Sequence, residues 1–249
     1  YQGVAAQIAF SLFLSIIPIF ILLSQLLGLF SLSLYEIQLW VQNNVTIEGA
    51  SQLLSFLDYS PSGVNNIFLA IIALWAASRV QFAMMRVTNY TLTDGEMVGK
   101  GYVRDRLRSV RTILMTLFTI AFSLVALVYG ELLLNIVFGA VVGEDISKLL
   151  WMLLRWPLAI ALYFLMISYN YYILPVNKVR FRDIVPGSIF AAIGFVVVTY
   201  VYTIYTSIST NYDILYGSFS NIVALMFWFW FLAWVMCLGV SFNRVWWAT

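Results

Sequence analysis

The sequence predicts an all-α, polytopic membrane bundle of six transmembrane helices with both termini cytoplasmic. Three observations carry that class. The chain is 63% hydrophobic and only 10% charged, with mean hydropathy +0.93, where a soluble globular domain carries about 25% charged residues. Its apolar residues gather in six blocks, each as long as the ~20 residues of helix needed to cross a bilayer core. Lys and Arg collect in alternate loops, so one side of the bundle is basic. Backbone groups cannot stay unpaired in lipid, and the blocks lack the apolar/polar alternation of barrel strands, so helices are the required form.

The first block, 4–30, holds Gln7, Ser11, Ser15, Pro18 and Gln25 within one side of a helical wheel. Pro18 has no backbone donor, which frees the carbonyl of Leu14. The chain opens at Tyr1 rather than Met, and a polar N-terminal tail is expected before it; the block is too long for a cleaved signal peptide. The loop 31–66 carries Glu36, Glu48 and Asp58 but no Lys or Arg, which marks it as outer. Within it, 49–57 puts Leu53, Leu54 and Leu57 on one face, an amphipathic segment suited to the outer membrane surface or to capping the bundle.

The second block, 67–90, has Arg79 near its centre, 12 residues after Ile67 and 11 before Tyr90. The segment 91–111 reads as a basic cytoplasmic loop with Lys100, Arg104, Arg106, Arg108 and Arg111. Arg104, Arg108 and Arg111 share a helical face there. With Lys100 they are candidates for anionic-lipid contact, each contributing roughly 1 kcal/mol near a charged leaflet.

The third block, 112–138, aligns Thr112, Thr116, Thr119, Ser123 and Gly130 on a narrow face that lets helices approach closely. The next loop carries Glu144 and Asp145 against Lys148, so it lies outside. The fourth block, 149–174, contains Arg155 and Pro157, and Lys178, Arg180 and Arg182 follow it on the cytoplasmic side. The fifth, 184–208, has Gly187 and Ala191 as a close-approach pair. After a short outer loop with Asp213, the sixth block, 217–247, includes an all-round apolar run of rings at 227–231, the single cysteine Cys237, and Arg244. Trp151, Trp156, Tyr212 and Tyr216 fall at the outer boundary; Tyr169, Tyr171, Tyr172, Trp246 and Trp247 fall at the inner one. Such rings anchor helices at the membrane interfaces. The whole chain, 1–249, forms a single membrane domain.

Polar groups in lipid need a reason. A central Arg costs about 2.5–3.5 kcal/mol on insertion scales. Arg79 and the carbonyl of Leu14 have matching depths, so Arg79 is expected beside the polar stripe of the first span. That makes Arg79, Gln7, Ser11, Ser15, Pro18 and Gln25 the candidate substrate-binding set, with a purely structural helix lock as the alternative. Glu131 and Arg155 come level if their spans are antiparallel neighbours, and form a candidate structural or ion-coupling pair.

Much chemistry is excluded by what is missing. There is no histidine and one cysteine, so zinc hydrolysis and a Ser–His nucleophile lack their usual groups. No phosphate-loop pattern appears. Asp94-Gly95-Glu96 is a polar turn with too few carboxylates for a two-metal site. No catalytic residue, metal or cofactor is expected, and the chain is not expected to be an enzyme. A net charge of +2 gives no nucleic-acid signal.

Several ordered patterns then carry a resemblance. They are Ser15-Ile-Ile-Pro18, Leu74-Trp75-Ala-Ala-Ser78-Arg79, Arg155-Trp156-Pro157, Pro186-Gly187, Tyr212, Tyr216-Gly217-Ser218, Trp228 and Gly239-Val-Ser-Phe-Asn243. Together they resemble the YihY/BrkB family of bacterial inner-membrane proteins over nearly the whole chain. The family often has Gly-Ala-x-Leu-Asn where this chain has Gly239 to Asn243, a change conservative for packing. It has carried ribonuclease BN and virulence labels, and the residues here give the nuclease label no support. The resemblance implies a multi-pass inner-membrane permease or exporter.

The expected function is movement of a small anionic, zwitterionic or lipid-like substrate through a cavity near the bilayer midplane at Arg79. The alternative is a non-transport envelope factor that binds lipid or scaffolds a partner protein. A membrane-bound nuclease is the third reading. Membrane lipids are the expected partners, nucleic acid is not, and a homo-oligomer stays open.

Overall fold

The computed structural model describes residues 1–29, 64–142, 144–208 and 218–248. Six helices account for nearly all of them: α1 (Gln2–Leu29), α2 (Val64–Leu92), α3 (Tyr102–Val142), α4 (Glu144–Ile173), α5 (Phe181–Ile208) and α6 (Ser218–Ala248). Five of these, α1, α2, α4, α5 and α6, are long and apolar enough to cross a membrane. Large apolar side chains such as Phe68, Ile71, Leu153, Val197 and Phe227 stand exposed around the outside, on a scale that water-facing surfaces do not sustain. The amphipathic segment 49–57 and the outer loop residues Tyr212 and Tyr216 lie outside the described residues.

Helix α3 runs for 41 residues, about 60 Å, or twice the thickness of a hydrocarbon core. Its first turns extend beyond any span. The basic segment 91–111 is therefore mostly helix; only 93–101 is a connection. Local chemistry explains the early start. Asp105 in the first turn complements the positive end of the helix dipole and accepts the backbone N–H of Lys100 at 3.2 Å. Gly101, at φ 119, supplies the turn into the helix that a side chain would resist.

Each helix packs on its neighbours in sequence, and α6 returns to α1, so the order closes into a ring; α2 also meets α6, and α1 also meets α3. One core gathers Ile8 of α1, Met85 of α2, Ile167 of α4, Ile184 of α5 and Val240 of α6. A second joins Leu22, Leu23, Ala73, Ala77, Ile113 and Leu117, from α1, α2 and α3. Between them one hydroxyl ties three helices. Thr116 Oγ1 accepts from Gln81 Nε2 at 3.1 Å and from Asn170 Nδ2 at 3.4 Å, and donates to the carbonyl of Thr112 at 3.0 Å. The small-residue face of α3 thus serves close packing at this level.

Tyr171, expected as an interfacial anchor, is instead a buried strut. It is 1% exposed, and its hydroxyl donates to the carbonyl of Met236 at 2.6 Å. Its ring turns inward because Gly239 leaves the room for it on α6.

Both chain ends lie at the same end of the bundle, with the 93–101 and 174–180 connections. Thr91 donates to the Tyr1 hydroxyl, and Arg244 grips Asp94 through both carboxylate oxygens. That grip holds the Asp94 carboxyl below its ordinary pKa. A lowered value means a tie complete at neutral pH and lost only as acid protonates the carboxyl below its ordinary range.

Asn89 of α2 organises this end. It is 1% exposed; its Nδ2 donates to Val98 O at 3.2 Å, and its Oδ1 accepts the Val176 N–H at 2.7 Å. Both connections are tied by this one side chain. Asn89→Ala orphans a buried donor and an acceptor, and is expected to cost about 2–4 kcal/mol. Thermal unfolding in detergent measures it, and an unshifted transition would show that the connections hold without the amide.

Candidate functional site

On α2, positions 79, 82, 83, 86 and 90 share one face by helical spacing. They are Arg79, Phe82, Ala83, Arg86 and Tyr90, and all line one cleft. Arg79 stands 15 residues after Val64 and 13 before Leu92, close to the middle of its helix. Helix α1 adds Tyr1, Val4, Gln7 and Ser11, the connection adds Val98, and α3 adds Arg106. The half-open cleft encloses about 610 Å³. From Arg79 to Tyr90 it follows α2 for about 16 Å, from mid-helix toward the basic end.

Arg106 is the buried member of the set, at 5% exposure. Its Nη2 donates to the carbonyl of Trp75 at 2.6 Å, and its guanidinium lies 4.4 Å from the centre of the Trp75 ring system and 5.7 Å from that of Phe82. The Ser78 hydroxyl donates to the same carbonyl at 2.8 Å. Nε of Arg106 is buried with no hydrogen-bond partner among the described residues. Burial pulls the Arg106 pKa below the ordinary guanidinium value; Tyr102 opposes that and Arg79 adds to it. A guanidinium still stays charged in a protein.

Arg79 and Arg86 are exposed to the cleft. Among the described residues neither has a hydrogen-bond or ion-pair partner, so the expected bond from Arg79 to the carbonyl of Leu14 is not made. With the cleft open beside it, the guanidinium is free of that carbonyl. Among the described residues no Asp or Glu lines the cleft. Two cations seven residues apart on a helix stand about 10 Å apart, and at an effective dielectric near 20 each such pair costs ~1–2 kcal/mol. Three guanidiniums around one opening, with no carboxylate among the described lining residues, leave the cleft net positive.

The other expected site residues separate. Gln7 and Ser11 line the cleft, and the Ser11 hydroxyl donates back to the Gln7 carbonyl at 2.9 Å. Ser15 is buried one turn on and donates to the carbonyl of Ala76 at 3.3 Å, a contact that packs α1 on α2. Pro18 and Gln25 are half-buried farther along, outside the cleft lining, and α1 passes through Pro18 unbroken. The Glu131 side chain lies outside the described residues. Arg155 sits half-buried over the Trp156 ring at 5.5 Å. Lys100, Arg108 and Arg111 line a second, basic cleft, while Arg104 is exposed outside it. Among the described residues no cluster of His, Cys, Asp or Glu could hold a metal.

Sequence reasoning missed Arg86 and Arg106. Both had a signal. Arg86 is two helical turns from Arg79, hence on its face. Arg106 is the cation of the basic segment that falls off the face shared by Arg104, Arg108 and Arg111, so it turns inward.

A helical, multi-pass membrane protein with an arginine cleft is the class these features define. The chain belongs to the family described as Virulence factor BrkB, which matches residues 1–247. It is similar to a ribonuclease-like protein, YfkH, of Bacillus subtilis (strain 168), at 27% identity over 247 residues, covering 98% of this chain and 89% of that protein. No solved structure matches it. The patterns that suggested the family fall on contacts: Trp75 and Ser78 on the carbonyl that holds Arg106, Pro186-Gly187 and Gly239 to Asn243 on the seam of α5 and α6.

Proposed function

We propose that this protein is a permease- or exporter-like protein of a bacterial inner membrane that takes the anionic group of its substrate in the Arg79–Arg86–Arg106 cleft. The observation that carries the reading is three guanidiniums around one half-open cleft that, among the described residues, has no lining carboxylate, one of them buried with an unpartnered Nε. The apolar centre of α3, joined to five other membrane-competent helices, supports six spans. The gathering of Lys and Arg at one end supports a cytoplasmic position for that end and for both termini. The cleft then opens from the cytoplasmic half toward the midplane, as the inward-facing state of an alternating-access protein would. Val4, Phe82, Val87 and Val98 give the same cleft apolar walls, which suits a substrate with an organic body as well as an anionic group.

A second reading, an envelope factor that binds lipid without moving it, draws on the same half-open geometry. Flux separates the two. Wild-type protein in liposomes is tested against small anions, zwitterions and labelled lipids, beside Arg79→Ala. Transport predicts flux of an anionic or zwitterionic solute that falls at least about tenfold in the variant, the scale of one lost charge-assisted contact. Equal fluxes for both proteins across every solute and lipid would end the transport reading. The nuclease reading has no histidine to draw on, and the protein is proposed not to be an enzyme.

A further inference from the structure

A second cleft, of about 690 Å³, opens at the basic end where α3 enters and α4 leaves the bundle. It belongs to none of the residues assigned above to substrate. Four cations line it from three separate segments: Lys100 of the 93–101 connection, Arg108 and Arg111 of α3, and Lys178 of the 174–180 connection. Among the described residues no carboxylate lines it, and Asn177 adds an amide. The arrangement is built. Arg108 Nη1 donates to the carbonyl of Pro175 at 3.0 Å, fixing the start of α3 to the end of α4. Asn89 holds both connections from beneath, through Val98 and Val176.

What runs away from this cleft identifies its ligand. Starting at Arg111, the outward face of α3 continues through Leu114, Met115, Phe118 and Phe122, all exposed. On α4, which packs against α3, Tyr172 lines the cleft and Leu165, two turns away, is exposed on the same face. A cationic head site thus leads straight onto an exposed apolar strip. A free phosphate needs only the first part. A phospholipid uses both, with its phosphate among the cations and its acyl chains along α3 and α4. Basic pockets between helices on the cytoplasmic side are the usual place for anionic headgroups.

We infer that the cleft between Lys100, Arg108, Arg111 and Lys178 is a specific site for an anionic phospholipid of the inner leaflet. The sequence had placed Arg104 in such a contact; the structure leaves it outside and brings in Lys178.

The test uses the full chain in nanodiscs of phosphatidylcholine with a minor share of phosphatidylglycerol, then detergent extraction and quantitation of the lipid that stays bound. Wild type is expected to enrich phosphatidylglycerol over phosphatidylcholine by about tenfold or more. Lys100→Ala, Arg111→Ala and Lys178→Ala combined, all on exposed or half-buried positions, are expected to bring that enrichment down at least roughly tenfold. Arg79→Ala is expected to keep it, so a failure of this site is distinguishable from a failure of the arginine cleft. Lys148→Ala, a cation removed far from the basic end, is the control for loss of charge elsewhere and is expected to keep the enrichment. Unchanged enrichment in the triple variant overturns the proposal. Displacement of the bound lipid by millimolar inorganic phosphate or glycerol phosphate overturns it too, because the ligand would then be a soluble anion and not a lipid.

Discussion

Gly187→Ala is expected to destabilise the fold severely. A Cβ at this position would fall within contact distance of the Gly239 carbonyl oxygen, and would meet Asn243 Oδ1 at 2.5 Å. The first obstacle is backbone, so no rotamer change relieves it, and α5 and α6 would have to separate. Separation breaks what the seam holds. The Gly187 N–H donates to Asn243 Oδ1 at 2.6 Å, and Asn243 is 2% exposed. An added Cβ at Gly239 would in turn meet the Gly187 carbonyl at 2.9 Å and the Ala191 Cβ at 3.1 Å, so both helices touch backbone to backbone. Overpacking costs about 1–3 kcal/mol and an orphaned buried amide about 1–3 more. Their sum is a large part of the ~5–15 kcal/mol that holds most folds together. Size-exclusion profile and thermal unfolding in detergent report it. Tyr171→Phe, which removes only the hydroxyl that joins α4 to the Met236 carbonyl of α6, is expected to lose about 1 kcal/mol and to stay monodisperse. Wild-type melting of Gly187→Ala would show that the seam is looser than its geometry.

Gly187 and Ala191 were legible as a close-approach pair because small residues one turn apart in a greasy helix have few other uses. Their partners were not. That Asn243 reaches Gly187, or that Tyr171 spans to Met236, depends on which helices become neighbours, and hydropathy is silent on that. The helices themselves were legible because lipid leaves the backbone no other form. The start of α3 was only partly legible, for a related reason. Its basic first turns leave the apolar pattern, so hydropathy ends the span at residue 112 while hydrogen bonding carries the helix back to Tyr102. The arginine cleft was half legible. Arg79 announced itself by its depth, and Gln7 and Ser11 by sharing a stripe. Arg86 sits near enough to the basic end to pass as a topology signal, and Arg106 was hidden among cations that face outward. Ser15, Pro18 and Gln25 lie on the same stripe, but the cleft follows α1 only over its first turns.

Arg79→Glu is expected to move stability and function in opposite directions. With no carboxylate among the described lining residues, the three cations repel one another; burial chiefly lowers the pKa of Arg106, and the field of Arg79 adds to it. Reversing Arg79 turns two repulsions, toward Arg86 and Arg106, into attractions. The folded state should keep its stability or gain about 1 kcal/mol. The cleft's charge falls from three positive to a net one positive, and the new carboxylate offers Arg106 Nε the acceptor it lacks. An external anion then competes with an internal one, and binding or flux of the anionic substrate should fall by roughly a hundredfold or more, a scale set by ~3 kcal/mol. A structural arginine predicts the reverse pattern. If Arg79 were there to lock α2 to its neighbours, the reversal would lower the melting temperature while any transport by surviving protein stayed close to wild type. Melting and flux measured on one preparation decide between them. Arg79→Lys adds the intermediate case: it keeps the charge but loses the planar fork, so it should retain part of the flux if the substrate's anionic group is held by charge, and little if it is held by paired hydrogen bonds. Like charges facing one another inside a membrane are unfavourable for the fold alone, and on the proposed reading a bound anion offsets that repulsion.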